Sequence, residues 1–537
     1  MKTLIIGINS KYIHPAMGAF QIQANTTSNC SVLEITINDD INNAIAKIKK
    51  ETFDLLAFST YIFNIEYTLN LINKLDTNYP ILLGGPEASY NPKLLNNKKI
   101  NYIIKNEGEE SFNELITYLQ GLIPISQVSN LYYKENNIIK FTFNKKPNIN
   151  LIKHDLSLIS NINNRVVYLE ASRGCYFKCT YCLASLDNKV RFFNIENTYQ
   201  ELLYLLKNNA KTIKFLDRSF NINKTHMLNI LNFLKNNDNN YTTIQFEIVG
   251  ERLDEEILTF IETMRSNYLR FEIGIQSFNE KTLKAVKRNQ DFSLLKYNIE
   301  RLSKSQIVHT DLIAGLPFEN LESFIATFNE TFKLFAQELQ LGFLKELKGT
   351  LLSQTKEIHG FNFHKNAPYE IIENKYITKT ELDIIRRVEK AVDRFYNKGY
   401  FKDTIEFIFK NLSLNPFYTF LELNEYMESQ EKNYTNSQVH EIAQIFTSFL
   451  NQKTNNPYIN FLIKKDYLKF FKVRPKIYWQ YSITKKEKNY IYEAFNNNFT
   501  DLSIETLYRY GYILNHENYY FIIIYKNNKN KFYELKI

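Results

Sequence analysis

Long apolar runs are missing from this chain of 537 residues. No stretch approaches the ~20 residues needed to cross a bilayer, so no membrane span is expected. The N-terminal Met1-Lys2-Thr3-Leu4-Ile5-Ile6-Gly7 is apolar too briefly for a signal-peptide core and lacks a small-residue cleavage site, which makes a cytoplasmic location the expectation. Cysteine is scarce. Four in so long a chain exclude a disulfide framework, and three of them fall between positions 175 and 182, which points to metal binding in a reducing compartment. Two nucleotide signatures are also absent: no G-x-G-x-x-G follows the first apolar strand, disfavouring a nicotinamide or flavin dinucleotide, and there is no G-x-x-x-x-G-K-[ST].

What is present describes a globular chain. Hydrophobic residues make up 44% and aromatics 15%, with 37 Tyr and 41 Phe, which argues against disorder. The length exceeds the roughly 250–300 residues at which one core stops growing, so two to four domains are expected. A net charge of +9 favours an anionic partner such as RNA or a phosphorylated small molecule, although Lys and Asn are abundant everywhere and the signal is weak. Cys30, at the entry to an apolar strand, reads as an ordinary buried thiol.

Over residues 1–125, apolar runs at Thr3 to Ile8, Leu33 to Ile37, Asp54 to Ser59, Ile81 to Leu83 and Tyr102 to Ile104 alternate with helical patterns. That order predicts a Rossmann-like α/β domain with a parallel sheet. Ligands of such sheets sit outside the carboxyl ends of the strands, where Asn9-Ser10-Lys11, Ser59-Thr60-Tyr61, Gly84-Gly85-Pro86-Glu87 and Glu107-Gly108-Glu109 fall. Residues 126–165 read as a hairpin and linker. From 166 to 360, about six strand–helix units predict an incomplete (β/α)6 barrel. Residues 361–537 read as a mostly helical C-terminal extension ending in a hairpin across Asn527 to Asn530.

Cys175, Cys179 and Cys182 follow the strand Val166 to Glu170 directly, at a strand's carboxyl end, where barrel active sites form. Thiolates are the ligands of iron–sulfur clusters, and three cysteines leave one iron of a [4Fe-4S] cluster open to chelate a substrate. A structural zinc wants a fourth ligand. None lies in the loop, and His154 is the closest histidine upstream.

The C-x-x-x-C-x-x-C loop, with Tyr181 before its last cysteine, resembles the radical S-adenosylmethionine (SAM) superfamily. The resemblance implies that SAM binds the open iron and is cleaved reductively to a 5′-deoxyadenosyl radical. Phe215 to Asn221, Gly274-Ile275-Gln276-Ser277 and Asp311 to Glu319 agree with that superfamily in order. Asp217, Glu247, Gln276, Ser277 and Asp311 are polar groups at strand ends, able to bond the ammonium or ribose of SAM. With the upstream sheet, the chain is similar to cobalamin-binding radical SAM proteins, in the branch with an extra C-terminal domain. Asn9, Ser10, Ser59, Thr60, Gly84, Gly85 and Glu107 are then the expected cobalamin contacts, the two glycines letting the backbone approach the ring or its nucleotide tail. The D-x-H-x-x-G motif of methionine synthase-type domains is absent, so His14 is expected to be hydrogen-bonded in its loop rather than bound to cobalt.

The resemblance implies methyl transfer to an unactivated carbon, with a reductant of the flavodoxin or ferredoxin class. It names no catalytic acid or base and no substrate. Cobalamin-associated ring closure or rearrangement is the alternative. Methylthiolation of tRNA fits less well, because the N-terminal domain has only Cys30 where a second cluster needs three cysteines. A third reading, a non-enzymatic cobalamin- or RNA-binding redox module, draws on the basic and aromatic stretch Lys464 to Lys488, which includes Lys465, Lys469, Tyr467, Tyr478 and Trp479.

Overall fold

The computed structural model describes residues 1–430 and 437–537 and divides into two compact units. The first comprises Met1–Asn320 and Gly342–Lys379, the second Leu321–Leu341 and Thr380–Ile537.

In the first unit, β1 (Lys2–Asn9), β2 (Asn29–Thr36), β3 (Leu55–Ser59), β4 (Ile81–Gly84) and β5 (Tyr102–Ile104) form a parallel sheet ordered β2-β1-β3-β4-β5. β1 is apolar without alternation, so both of its faces must be covered. Leu4, Ile6 and Ile8 pack with Phe58, Leu71 and Ile72 on one face, and Ile5 packs with Ala57, Leu82 and Phe112 on the other. Because β2 and β3 lie on opposite sides of β1, the winding reverses there and a crevice opens between the loops after β1 and β3. The hairpin expected to link domains instead extends this sheet. β6 (Leu131–Glu135) pairs antiparallel to β5, and β7 (Ile138–Phe141) to β6, with Leu131 fully buried against the same core. Cys30 is partly buried there, and burial pushes its thiol up to about 12.

The second sheet of this unit starts at β8 (Val166–Leu169). A short antiparallel pair, β9 (Ser172–Arg173) with β10 (Arg191–Phe192), brackets the cysteine loop. β11 (Thr212–Phe215), β12 (Thr243–Ile248), β13 (Leu269–Gln276) and β14 (Ile307–Ala314) continue a parallel sheet ordered β14-β13-β12-β11-β8, and β15 (Glu338–Phe343) follows in the chain with its first four residues in the second unit. Neighbours in the sheet are neighbours in sequence, the pattern of an unclosed barrel. β13 alternates buried and half-buried residues along its whole length, as a strand with an apolar outer face and a polar lumen must.

The two sheets are tied by a buried ion pair. The Arg165 guanidinium, with no exposed side-chain surface, donates from Nη1 and Nη2 to the two oxygens of Glu34 at 2.7 and 2.8 Å and stacks on Tyr12. Glu34 also accepts from Asn9 Nδ2 and Ala16 N–H, both at 2.8 Å. Burial raises this carboxyl, but the bonds from Arg165, Ala16 and Asn9 outweigh it and hold it below its ordinary value.

The second unit is helical, with a three-stranded antiparallel sheet at its end, β18 (Gly511–His516), β19 (Tyr519–Lys526) and β20 (Lys529–Lys536), the short pair β16 (Asn362–Phe363) and β17 (Ile371–Glu373) belonging to the first unit. The helix Leu321–Phe332, read from sequence as part of the barrel, packs in this unit, where Phe328 meets Phe417 and Asn329 accepts from Phe417 N–H. The basic and aromatic stretch serves the interior more than a stacking platform. Tyr467 is buried among Phe471, Tyr478 and Trp479, and the buried Lys465 ammonium pairs with Asp403 and Glu534 at 3.2 and 2.6 Å. No helix among the described residues is long and apolar enough to cross a membrane.

Removing one partner of a buried charge pair leaves the other uncompensated. Arg165→Ala is expected to destabilise the chain by about 3–5 kcal/mol in urea unfolding. The advantage of wild type over Glu34→Gln follows from a carboxyl held low in the folded state. It is full at neutral pH and is lost as the pH falls below the ordinary carboxylate range through the folded-state value. An advantage that grew with acidity would contradict the assignment.

Candidate active site

The cysteine loop is shaped by its backbone. Gly174 has φ of +96°, and a Cβ there would collide with the Lys189 carbonyl oxygen, so only glycine lets the chain turn from β9 into the loop. Cys175 N–H donates to Asp187 O at 2.8 Å, Thr180 N–H to Val286 O at 3.0 Å and Cys182 N–H to Cys179 O at 3.2 Å. Cys175 and Cys179 are buried and Cys182 half-buried, and all three line one cavity of about 110 Å³. No group of three His, Cys, Asp or Glu among the described residues is placed to hold a single metal ion. His154 bonds Glu201 and faces a different cavity, so it supplies no fourth ligand to the thiols.

Tyr181, Glu247 and Gln276 also line the cysteine cavity. A β-bulge at Gly274/Gln276 and a φ of +70° at Gln276 redirect this side chain at the end of β13, and its Oε1 is buried without a hydrogen-bond partner. Glu247 is raised by burial and pairs with Arg218 Nη1 at 3.2 Å. Three groups not singled out from sequence stand beside them. Arg288 donates to Gly274 O and lies 3.8 Å from Cys179 Sγ; Glu251, raised by burial, has an orphaned Oε2; Arg218 completes the wall. The signal for the two arginines was their sign: cations near three thiols, Arg288 half-buried and Arg218 exposed at the rim, are natural partners of an anionic ligand.

Four expected cofactor contacts face elsewhere. Asp217 is buried and accepts from Ala171 N–H at 3.0 Å and Ser172 Oγ at 2.5 Å, holding the segment that leads into the cysteine loop; burial pushes it up to about 7. Ser277, fully buried, donates to Glu319 at 2.5 Å. Asp311 lies 3.1 Å from His309 Nε2 and does not line the cavity. Thr60 is fully buried and donates to Gly84 O at 2.7 Å. Asp217, Ser277 and Thr60 each secure a strand end from within.

Two further cavities open at the carboxyl ends of the first sheet. One, of about 610 Å³, is lined by Asn9, Ser10, His14, Gly85, Glu107 and residues of the cysteine segment. The other, of about 370 Å³, is walled by Ser59, Gly84 and the apolar Ile5, Ala57, Leu82 and Phe112. They adjoin one another, sharing Tyr61, Gly85, Tyr168 and Arg173 among others. Gly85 has φ of +97°, and a Cβ on it would lie 2.5 Å from Thr60 O, whereas a Cβ on Gly84 would meet nothing within 4 Å. Gly84 therefore leaves open space at the strand end. His14 Nδ1 bonds Tyr168 Oη at 2.8 Å, a partner from β8 rather than from its own loop. Glu107 pairs with Arg173 at 2.9 Å and with Arg191, and Arg173 also bonds Glu109 and Glu170. Arg218 and Ala184 line both the 610 Å³ cavity and the cysteine cavity.

Comparison with known proteins agrees with this layout. Residues 3–116 match the B12 binding domain, 169–331 the radical SAM superfamily and 357–519 a protein family of unknown function, DUF4080. An uncharacterized methyltransferase of Pyrococcus horikoshii is 24% identical over 263 residues, covering 46% of this chain and 51% of the relative. A putative methylthiotransferase of Methanocaldococcus jannaschii is 25% identical over 272 residues, 45% of this chain and 57% of the relative. The chain thus spans about half the length of these curated relatives. Among solved structures, the cobalamin-dependent SAM radical enzyme OxsB, with aqua-cobalamin and SAM bound, superposes with a TM-score of 0.61 at 14% identity, covering 87% of this chain and 79% of that one. The radical SAM methyltransferase TsrM of Kitasatospora setae, with tryptophan and a SAM analogue bound, gives 0.56 at 14% identity, covering 68% and 79%. At this identity both likenesses are likenesses of fold.

Fold, cysteine loop and matched domains define a radical SAM protein. The chain belongs to those that carry an N-terminal cobalamin-binding domain, in the branch with an added C-terminal DUF4080 region.

Gly174→Ala forces a side chain into both a positive φ and the Lys189 carbonyl, and about 1–3 kcal/mol of strain is expected. Urea unfolding of the metal-free chain measures it, and an unchanged midpoint would show that the loop relaxes freely.

Proposed function

We propose that the chain is a cobalamin-dependent radical SAM methyltransferase acting on an unactivated carbon, with a [4Fe-4S] cluster on Cys175, Cys179 and Cys182. The observation that carries this reading is the shared wall of Arg218 and Ala184, which sets the cysteine cavity beside the larger cavity at the strand ends of the first sheet. When bound, the cluster supplies an electron to SAM and cobalamin supplies methyl-carrier chemistry.

The residues fit these groups. Three thiols on one loop leave an iron without a protein ligand. The unpartnered Gln276 Oε1 suits an ammonium, and Arg288 and Arg218 suit a carboxylate, the two charged ends of an amino acid moiety. Gly84 leaves the backbone bare in the smaller cavity, where Ser59 supplies a polar edge, and Asn9 and Ser10 supply polar edges in the larger one, so each part of a corrinoid meets a fitting wall. The ion pairs of Arg173 and Arg191 with Glu107 close the cavity wall without leaving a free charge on it. The names of the relatives support the same reading: one is a methyltransferase, and OxsB and TsrM carry cobalamin in their solved forms. A carrier of the flavodoxin or ferredoxin class is the proposed electron source.

Anaerobically reconstituted protein is expected to show iron–sulfur absorption and to release 5′-deoxyadenosine from SAM on reduction, and Cys179→Ala to lose both. Full cleavage by that variant would end the cluster assignment. Gly84→Leu is expected to abolish saturable hydroxocobalamin binding while leaving the melting temperature unchanged, because its side chain enters open space. Undiminished binding would remove the cavity from the site. With substrate in hand, transfer of a labelled methyl group from SAM separates methylation from ring closure or rearrangement.

A further inference from the structure

His154 has no part in the site as described so far, yet its environment is specialised. Its side chain is only 9% exposed and lines the smaller, apolar cavity. Nδ1 stands 2.9 Å from Glu201 Oε1, and the ring packs on Phe193 with centroids 4.7 Å apart. Nε2 is buried and has no hydrogen-bond partner. The nearest acid, Glu170, lies 4.0 Å away, outside hydrogen-bond reach, and its Oε2 already accepts from Arg173 Nε and Nη2 at 3.0 and 2.7 Å. A buried ring nitrogen left unpaired costs about 1–3 kcal/mol unless something completes it. The cavity it lines carries both the apolar Ile5, Ala57, Leu82, Ile104 and Phe112 and polar side chains such as Ser59, Tyr61 and Glu109, none of which bonds Nε2.

The two neighbouring cavities differ in what else they adjoin. The 610 Å³ cavity shares Arg218 and Ala184 with the cysteine cavity, whereas the 370 Å³ cavity shares no wall residue with it. Cobalamin is a two-part ligand, a reactive macrocycle and an unreactive nucleotide arm ending in a flat apolar base. Only the chamber beside the thiols can bring the macrocycle to the reacting centre. The arm is left to the apolar chamber that holds His154.

Resting on the corrinoid reading above, we propose that His154, oriented by Glu201, hydrogen-bonds an oxygen of the nucleotide arm through Nε2 and so makes the protein select corrinoids that carry that arm. Glu201 accepts a hydrogen bond from Nδ1–H and so orients the ring, as carboxylates do for histidines that must present the other nitrogen. Burial lowers the imidazole, but Glu201 and Glu170 outweigh burial and the opposing Arg173, so the imidazolium is favoured, in which Nε2 also carries a proton to donate.

The test compares two probes on the full chain by equilibrium titration: hydroxocobalamin, and dicyanocobinamide, which lacks the nucleotide arm. Wild type is expected to prefer hydroxocobalamin. His154→Phe, which keeps the ring on Phe193, is expected to weaken hydroxocobalamin about tenfold while leaving cobinamide unchanged, the loss of one hydrogen bond. His154→Gln, which retains an N–H, is expected to recover most of that factor. A wild type without preference between the probes overturns the inference, as does a Phe variant that weakens both equally or neither. A wild type that binds neither probe overturns the corrinoid reading itself, a different failure from either of these.

Discussion

The Glu34–Arg165 pair is the constraint on which the site depends. Taking a guanidinium and a carboxylate out of water is costly, and such a pair is kept for geometry more than for stability. Here the geometry is explicit. One carboxylate receives both guanidinium nitrogens, the Asn9 amide and the Ala16 N–H, so it fixes both ends of the loop after β1 and ties that loop to the residue entering β8. Val166 N–H donating to Ile13 O at 2.9 Å continues the same junction. Ser10 and His14 ride on that loop and Tyr168 on β8, and all three face the larger cavity. A cavity walled by two sheets holds its shape only if the sheets cannot slide, and a bidentate pair resists sliding as apolar contact does not.

Away from that junction, the site shows two kinds of polar group. Arg173, Arg191, Glu107, Glu109 and Glu170 are joined in ion pairs, although Glu109 Oε2 and Arg191 Nε have no hydrogen-bond partner. Gln276 Oε1, Glu251 Oε2 and His154 Nε2 are buried and unsatisfied. A folded protein tolerates the second kind where a ligand completes the bonding, and all three line cavities.

Residue type is what misled at four positions. Asp217, Ser277, Asp311 and Thr60 are polar residues at strand ends, and from sequence alone any of them faces a ligand as well as Glu247 or Gln276 does. The difference is rotational. Asp217 turns to Ala171 and Ser172, whereas the bulge at Gly274/Gln276 swings Gln276 to the cavity, and no local pattern announces a bulge. The strands were legible because unbroken apolar runs such as Leu4 to Ile8 admit no other use. The hairpin at β6 and β7 read as a linker because its half-exposed edge carries a weak alternation, and its partner β5 is set by pairing across more than twenty residues. Tyr467 and Lys465 looked like a surface for nucleic acid because a packed aromatic and an exposed one have the same letters.

The sequence by itself determined the two sheets, their parallel order and the three thiols, because each is encoded over a few residues: apolar period, turn chemistry and a spacing contained within eight positions. Tertiary structure alone decided which polar groups the thiols face and that their cavity adjoins a second one. Arg218 and Ala184 from the barrel segment meet Asn9 and Gly85 from the first sheet in one cavity wall, and the pairing of Glu34 with Arg165 spans 131 positions. Contacts at that separation arise from packing two cores together, and no local signal in the chain carries them.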